Sequence, residues 1–232
     1  RGHMVRPSRS ISEKNMEGIL QWAKSTKADF FLLQEVDRSS KRSYRTDQLK
    51  KTGETFEGYY GGFAANYQSP WVPIPLFEPW NTYGKTKSGL GTFSRFQPTK
   101  ATRYQLPGEY GWPIRIFQLD RCAAVFRFDV ANGKELVLIN IHNSAFDKGG
   151  KLKQEQMRFL KDFFLAEHQK GNYVIAGGDW NQCPPFFKKD GFVPDKERAA
   201  ELTNVAPDFL PADWQWIYDP TIPTNRSVRD PL

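Results

Sequence analysis

The chain has 232 residues, 39% of them hydrophobic, enough for a real core and for one large domain. A net charge of +7 favours a polyanionic or phosphate-bearing partner, and 15% aromatic residues supply either an aromatic core or stacking platforms, the core being the simpler use. Cys122 and Cys183 form no CxxC pair, which argues against a disulfide framework or a zinc site, and no apolar run is long enough to cross a bilayer.

Ser10 and Glu13 have capping-box spacing, and Met16, Ile19, Leu20 and Ala23 follow with helical period, so a helix packed by one face is expected. Phe30 to Leu33 reads as a buried strand that delivers Glu35 to its end. Helix followed by buried strand suits a layered α/β arrangement, whose strand ends commonly carry the chemistry. Residues 38–51 are strongly basic and suit a solvated face or a polyanion contact. Gly58 to Tyr67 reads as a strand, Ser69 to Pro79 with its four prolines as an irregular loop, Gly89 to Phe96 as a strand and Thr99 to Pro113 as a long connection.

Two β-rich runs, Leu119 to Val130 and Glu135 to Ile141, flank Asn132-Gly133 and predict an antiparallel hairpin ending at Asn140 and His142. Leu152, Phe159, Leu160, Phe163 and Phe164 form a helical stripe stopped by Gly171. Tyr173 to Ala176 then reads as a buried strand running through Gly177-Gly178 to Asp179 and Asn181. If the extended conformation persists, Asp179 and Asn181 point to one side; an Asx turn is the structural alternative. Glu197 to Leu202 suggests a short helix and Trp214 to Tyr218 an edge strand.

The runs LLQEVD (32–37), GLGTFSR (89–95), INIHNSAFD (139–147) and AGGDWNQ (176–182), in this order, resemble the endonuclease/exonuclease/phosphatase superfamily. This group contains pancreatic-type deoxyribonucleases, abasic-site endonucleases, sphingomyelinases and inositol-polyphosphate 5-phosphatases. The resemblance implies an α/β fold, a four-layer αββα sandwich of two mixed β-sheets flanked by helices, as a single domain over residues 1–232. It implies a divalent-metal phosphoesterase in which Glu35 binds Mg²⁺, with Mn²⁺ or Ca²⁺ as substitutes. By the same resemblance Asp179 orients or deprotonates the attacking water, Asn181 holds a phosphate oxygen or the nucleophile, and His142 stabilises the phosphate as charge builds. Arg121 and Asn140 are the implied phosphate contacts.

The family's opening strand with a site asparagine and its closing aspartate and histidine motif do not appear, so a domain lacking both terminal pieces, poorly active and marginally stable, is expected. The expected partner of this monomer is a phosphoester substrate, nucleic acid among the candidates. The alternative is a non-catalytic binding module on the same fold.

Overall fold

The computed structural model describes residues 7–74, 79–108, 120–145, 150–187 and 203–218, in two compact units, residues 1–181 and 182–232. The first unit opens with α1 (Arg9–Thr26). Ser8, not Ser10, caps it: the Ser8 backbone is extended and its Oγ accepts from the Ile11 amide at 3.4 Å. Ser10 lies inside the first turn, and Glu13 instead meets Arg9 at 2.9 Å, one turn away. Of the expected packing face only Ala23 is buried, and Ile19 stays 59% exposed.

Strand β1 (Phe30–Asp37) follows, then a 3₁₀ turn at Lys41–Ser43 and α2 (Gln48–Thr55), whose first turn is capped by Asp47 accepting from the Lys50 amide. Strands β2 (Tyr60–Val72) and β3 (Gly84–Ser94) complete an antiparallel sheet of order β1-β3-β2. The proline-rich stretch is thus partly strand. Pro70 has no N–H to give, and it falls where the register of β2 with β3 slips, between Ser69 and Val72, on a strand whose only neighbour among the described strands is β3.

The second sheet has order β4-β5-β6-β7, from β4 (Lys100–Gln105), β5 (Cys122–Asp129), β6 (Glu135–His142) and β7 (Tyr173–Asp179). It is mixed, because β6 and β7 run parallel, joined by α3 (Lys151–Gln169). The hairpin forms as expected, with Phe126 opposite Leu138 and left-handed Asn132 and Gly133 at its turn. Residues 100–105, expected as loop, form an edge strand whose polar sequence gives little hydrophobic signal. Strand β7 is not the buried strand its sequence suggests: Tyr173 and Ile175 are exposed, since β6 is its only strand neighbour among the described residues.

The sheets face each other through one core. Leu90 and Ala64 of the first sheet meet Ala124, Phe126 and Leu138 of the second, with Phe30 and Leu32 packed alongside. Full burial of a leucine such as Leu90 or Leu138 contributes about 2 kcal/mol. Ala23 of α1 and Phe56, just past α2, pack with Phe93 on the outer side of the first sheet, where Phe31 stacks on Phe56 at 4.4 Å. On the second sheet, Arg127 of β5 is bound to Glu167 of α3 at 2.7 and 3.0 Å. The result is the expected four-layer αββα sandwich, with the first sheet antiparallel rather than mixed among the described strands.

In the second unit, Cys183 and Asn204 form an isolated bridge, and Val205 and Phe209 are buried. Trp214 to Tyr218 is not a strand, for it joins no ladder among the described residues. The helix expected at 197–202 lies outside the described residues.

Candidate active site

Three strands converge on one end of the sandwich. Phe30 lies 5.5 Å from the ring of Phe128, which pairs with Leu136, while Gln34 donates to Asn140 Oδ1 at 2.8 Å. Four residues along β1 therefore track four residues along β6, so the two strands run the same way. In β7, Asn140 is level with Gly177 and His142 with Asp179. Glu35, His142 and Asp179 thus emerge at the same end, each just past the last contact between the sheets.

The glycines make this approach possible. A Cβ on Gly177 would stand 2.9 Å from Leu32 Cδ1, and one on Gly178, whose φ is +128°, would collide with the carbonyl oxygen of Ile141. Asp179 is thereby set beside His142, with Oδ2 3.6 Å from Nε2. This separation exceeds a hydrogen bond, so neither atom is committed to the other.

His142 is 3% exposed and its Nδ1 has no hydrogen-bond partner among the described residues. Burial, and then the positive charge of Arg121, push its pKa down to about 4 against the pull of Asp179. The imidazole is therefore neutral at pH 7, a hydrogen-bonding group rather than a cation. Arg121 itself is buried immediately before β5, its carbonyl accepting from Leu106 N and Gln105 Nε2, both at 3.0 Å.

Beyond Asp179 the chain does not stay extended. Asn181 has φ +50°, and its amide N–H donates to Asp179 Oδ1 at 2.9 Å, which is the Asx turn. The turn still brings Asn181 to the site, because its Nδ2 donates to the Asn143 carbonyl, one residue past His142, at 2.8 Å. Asn140 is different. It is fully buried, and its Nδ2 faces the Leu33 and Gly91 carbonyls and Thr92 Oγ1 at 3.1 to 3.2 Å. With Oδ1 taken by Gln34, its amide is spent joining the sheets, and no part of it reaches a phosphate. Two residues of depth along β6 separate an inter-sheet bond from a site residue.

Glu35 sits on a bulge of β1, where the register with β3 slips between Leu33 and Val36, and has φ +55°. Its side chain is 62% exposed and makes no hydrogen bond among the described residues, where its one charged neighbour is Arg42, with Nη1 3.9 Å from Oε2. Arg42 was hidden in the basic segment. Its Nε donates to both oxygens of buried Asp37, at 2.9 and 3.1 Å, and its Nη2 to Ser88 Oγ at 3.2 Å. Burial opposes the guanidinium charge, but the bond to Asp37 and its charge, with Glu35 and Tyr83 adding, hold the pKa above the ordinary value. The sequence signal was the short span from Asp37 to Arg42, visible only once β3 is alongside.

No group of three His, Cys, Asp or Glu among the described residues forms a metal-binding cluster. What fits instead is a hard cation that keeps most of its waters and takes one carboxylate, and the uncommitted Glu35 oxygens suit that need.

Comparison with known proteins agrees with this architecture. The chain matches the model of the Endonuclease/Exonuclease/phosphatase family over residues 12–230. No curated protein matches it. Among solved structures, an endonuclease/exonuclease/phosphatase of Beutenbergia cavernae DSM 12333 is 20% identical, with 63% of this chain and 38% of that chain covered and a TM-score of 0.49. The humanized TDP2 of D. rerio is 14% identical (73% and 59% covered, TM-score 0.50). A family protein of Leptotrichia buccalis C-1013-b is 10% identical (74% and 61%, TM-score 0.51). The match thus spans 38% to 61% of the length of these structures. With the family model running over nearly the whole sequence and the αββα sandwich shared with solved structures, the chain belongs to the endonuclease/exonuclease/phosphatase family.

Proposed function

We propose that this protein is a divalent-metal-dependent phosphoester hydrolase working by in-line attack of water on phosphorus. The observation that carries this is the meeting of buried, neutral His142 with Asp179 across 3.6 Å, at the end where β1 delivers Glu35. Asp179 keeps Oδ2 for the attacking water, which it orients and from which it takes a proton, while the Asx turn holds the carboxylate still. His142 and Asn181 flank the phosphoryl oxygens as hydrogen-bonding groups, and Arg121, whose charge acts on His142, adds positive potential there. Glu35 would hold Mg²⁺, or Mn²⁺ or Ca²⁺, which when bound supplies Lewis-acid charge to the phosphoryl group. Asn140 supports this end from inside and does not contact substrate.

The substrate class is a phosphoester, nucleic acid among the candidates, because exposed Arg45, Lys50 and Lys51 lie on the segment that follows Glu35. We further propose that residues 1–232 act as one domain and as a monomer, in keeping with a family model that runs through both units. The test is hydrolysis of bis-p-nitrophenyl phosphate, plasmid DNA and inositol phosphates with Mg²⁺ or EDTA. Magnesium-dependent turnover lost in Asp179→Asn supports the enzyme; ligand retention without turnover in the folded parent protein replaces it with a non-catalytic binding module.

A further inference from the structure

One guanidinium spans two carboxylates of opposite character. Asp37 is 3% exposed and held on every side: Arg42 Nε and Ser40 Oγ donate to its oxygens, and its amide donates to Gln48 Oε1 at 2.8 Å. Glu35 is exposed and, among the described residues, meets only the far edge of the same arginine, at 3.9 Å. The first contacts are charge-assisted hydrogen bonds, and the second lies beyond that range. The fork cannot swing toward Glu35 without breaking its bonds to Asp37 and to Ser88.

We propose that Arg42 sets how many carboxylates a divalent cation meets at this end of the sandwich, leaving Glu35 available and withholding Asp37. The inference rests on the reading that Glu35 seats the cation. Its consequence is selectivity. A cation offered one carboxylate must bring its own waters, which suits Mg²⁺, whereas Ca²⁺ gains from a second carboxylate and a higher coordination number. Arg42 is therefore a specificity-determining residue, and Asp37 a ligand kept out of reach. Ser88 on β3 and Ser40 after β1 fix the arrangement from two sides, which gives the pair the rigidity that withholding needs.

The experiment is calorimetric titration of Mg²⁺ and Ca²⁺ into the folded protein without substrate, with circular dichroism as the folding check. In R42Q, Asp37 is released and Ca²⁺ affinity rises on the order of tenfold, more than that of Mg²⁺. Adding D37N to R42Q removes that gain. In D37N alone the arginine turns to Glu35 and competes for it, so Mg²⁺ affinity falls on the order of tenfold. D37N matches Asp37 in volume while removing the charge that holds Arg42, so it tests the idea even where R42Q fails to fold. A folded D37N with unchanged Mg²⁺ affinity, or a gain in R42Q that survives D37N, overturns the role of Arg42. E35Q separates the layers: loss of cation binding in E35Q upholds the seat whatever Arg42 does, and wild-type affinity in E35Q overturns the seat and this inference together.

Discussion

Strand β7 has an asparagine at each end, and the two are used in opposite ways. Before it, Asn172 donates to Glu167 at 2.8 Å and accepts from the Glu135 amide at 3.0 Å, inside a cluster in which Arg127 binds both glutamates and Lys170 adds a further bond to Glu167. Beyond it, among the described residues, Asn181 bonds only to backbone and to Asp179 in its turn, beside a histidine with an unpartnered nitrogen and a carboxylate half in solvent. Both clusters contain carboxylates and a basic group, so composition does not distinguish them. Saturation does: a fully bonded cluster has nothing left to offer a ligand, whereas unspent hydrogen-bonding capacity at a strand end is capacity for substrate.

The largest contrast is expected between Asp179 and Glu167. Asp179→Asn keeps Oδ1 as acceptor for the Asn181 amide and removes the charge facing His142. Magnesium-dependent hydrolysis of bis-p-nitrophenyl phosphate should fall about a thousandfold, about 4 kcal/mol, with stability within about 0.5 kcal/mol of the parent by urea titration. Glu167→Gln should do the reverse. It takes the charge from buried Glu167, leaves half-buried Arg127 with Glu135 as its one remaining carboxylate among the described residues, and should cost about 3 kcal/mol of stability, while turnover of the folded fraction is retained. A stability loss in the first or a turnover loss in the second breaks the division of labour between the ends.

Acid should separate the same two clusters by the pH at which each is lost. His142 has its folded pKa lowered to about 4 by burial and Arg121, so the unfolded chain binds the extra proton as pH falls from about 6.5. The stability it provides is complete above that pH and is lost down to about pH 4, by at most about 3 kcal/mol. Glu167, bound by Arg127 despite its burial, is lowered to about 2, so its contribution persists above the ordinary carboxylate range and is lost only from about pH 4.5 to 2. Urea midpoints measured across pH should show two windows, the upper absent in His142→Asn and the lower absent in Glu167→Gln.

How much of this was legible in the sequence follows from how local each signal is. Glu35, His142 and Asp179 end apolar runs, and strand ends can be read from hydrophobic pattern alone. The β5–β6 hairpin was marked by Asn132-Gly133, a dipeptide suited to the left-handed turn it adopts. Strand β4 was missed because Lys100 to Gln105 buries little and its partner lies beyond a long connection. Asn140 shares the alternation of His142 and so looked like a site residue, but alternation fixes the face and not the depth. Arg42 looked like one of many basic residues; its role depends on Ser88, which pairing of β3 with β1 and β2 brings near and which no local pattern encodes.

The two asparagines give the smallest and most direct contrast. Asn172→Ala removes one bond to a buried carboxylate and one to a backbone amide, and should cost about 2 kcal/mol of stability with turnover unchanged. Asn181→Ala removes a single bond from a part-buried turn whose backbone bond to Asp179 remains, so stability should change by no more than about 0.5 kcal/mol. Its turnover should fall on the order of tenfold, because the lost amide has a second N–H beyond the one given to the Asn143 carbonyl, and that N–H is the donor proposed for a phosphoryl oxygen. Equal stability losses at both ends would mean that Asn181 is a turn former like any other, and the claim that unspent bonding capacity marks the site would then rest on His142 and Asp179 alone.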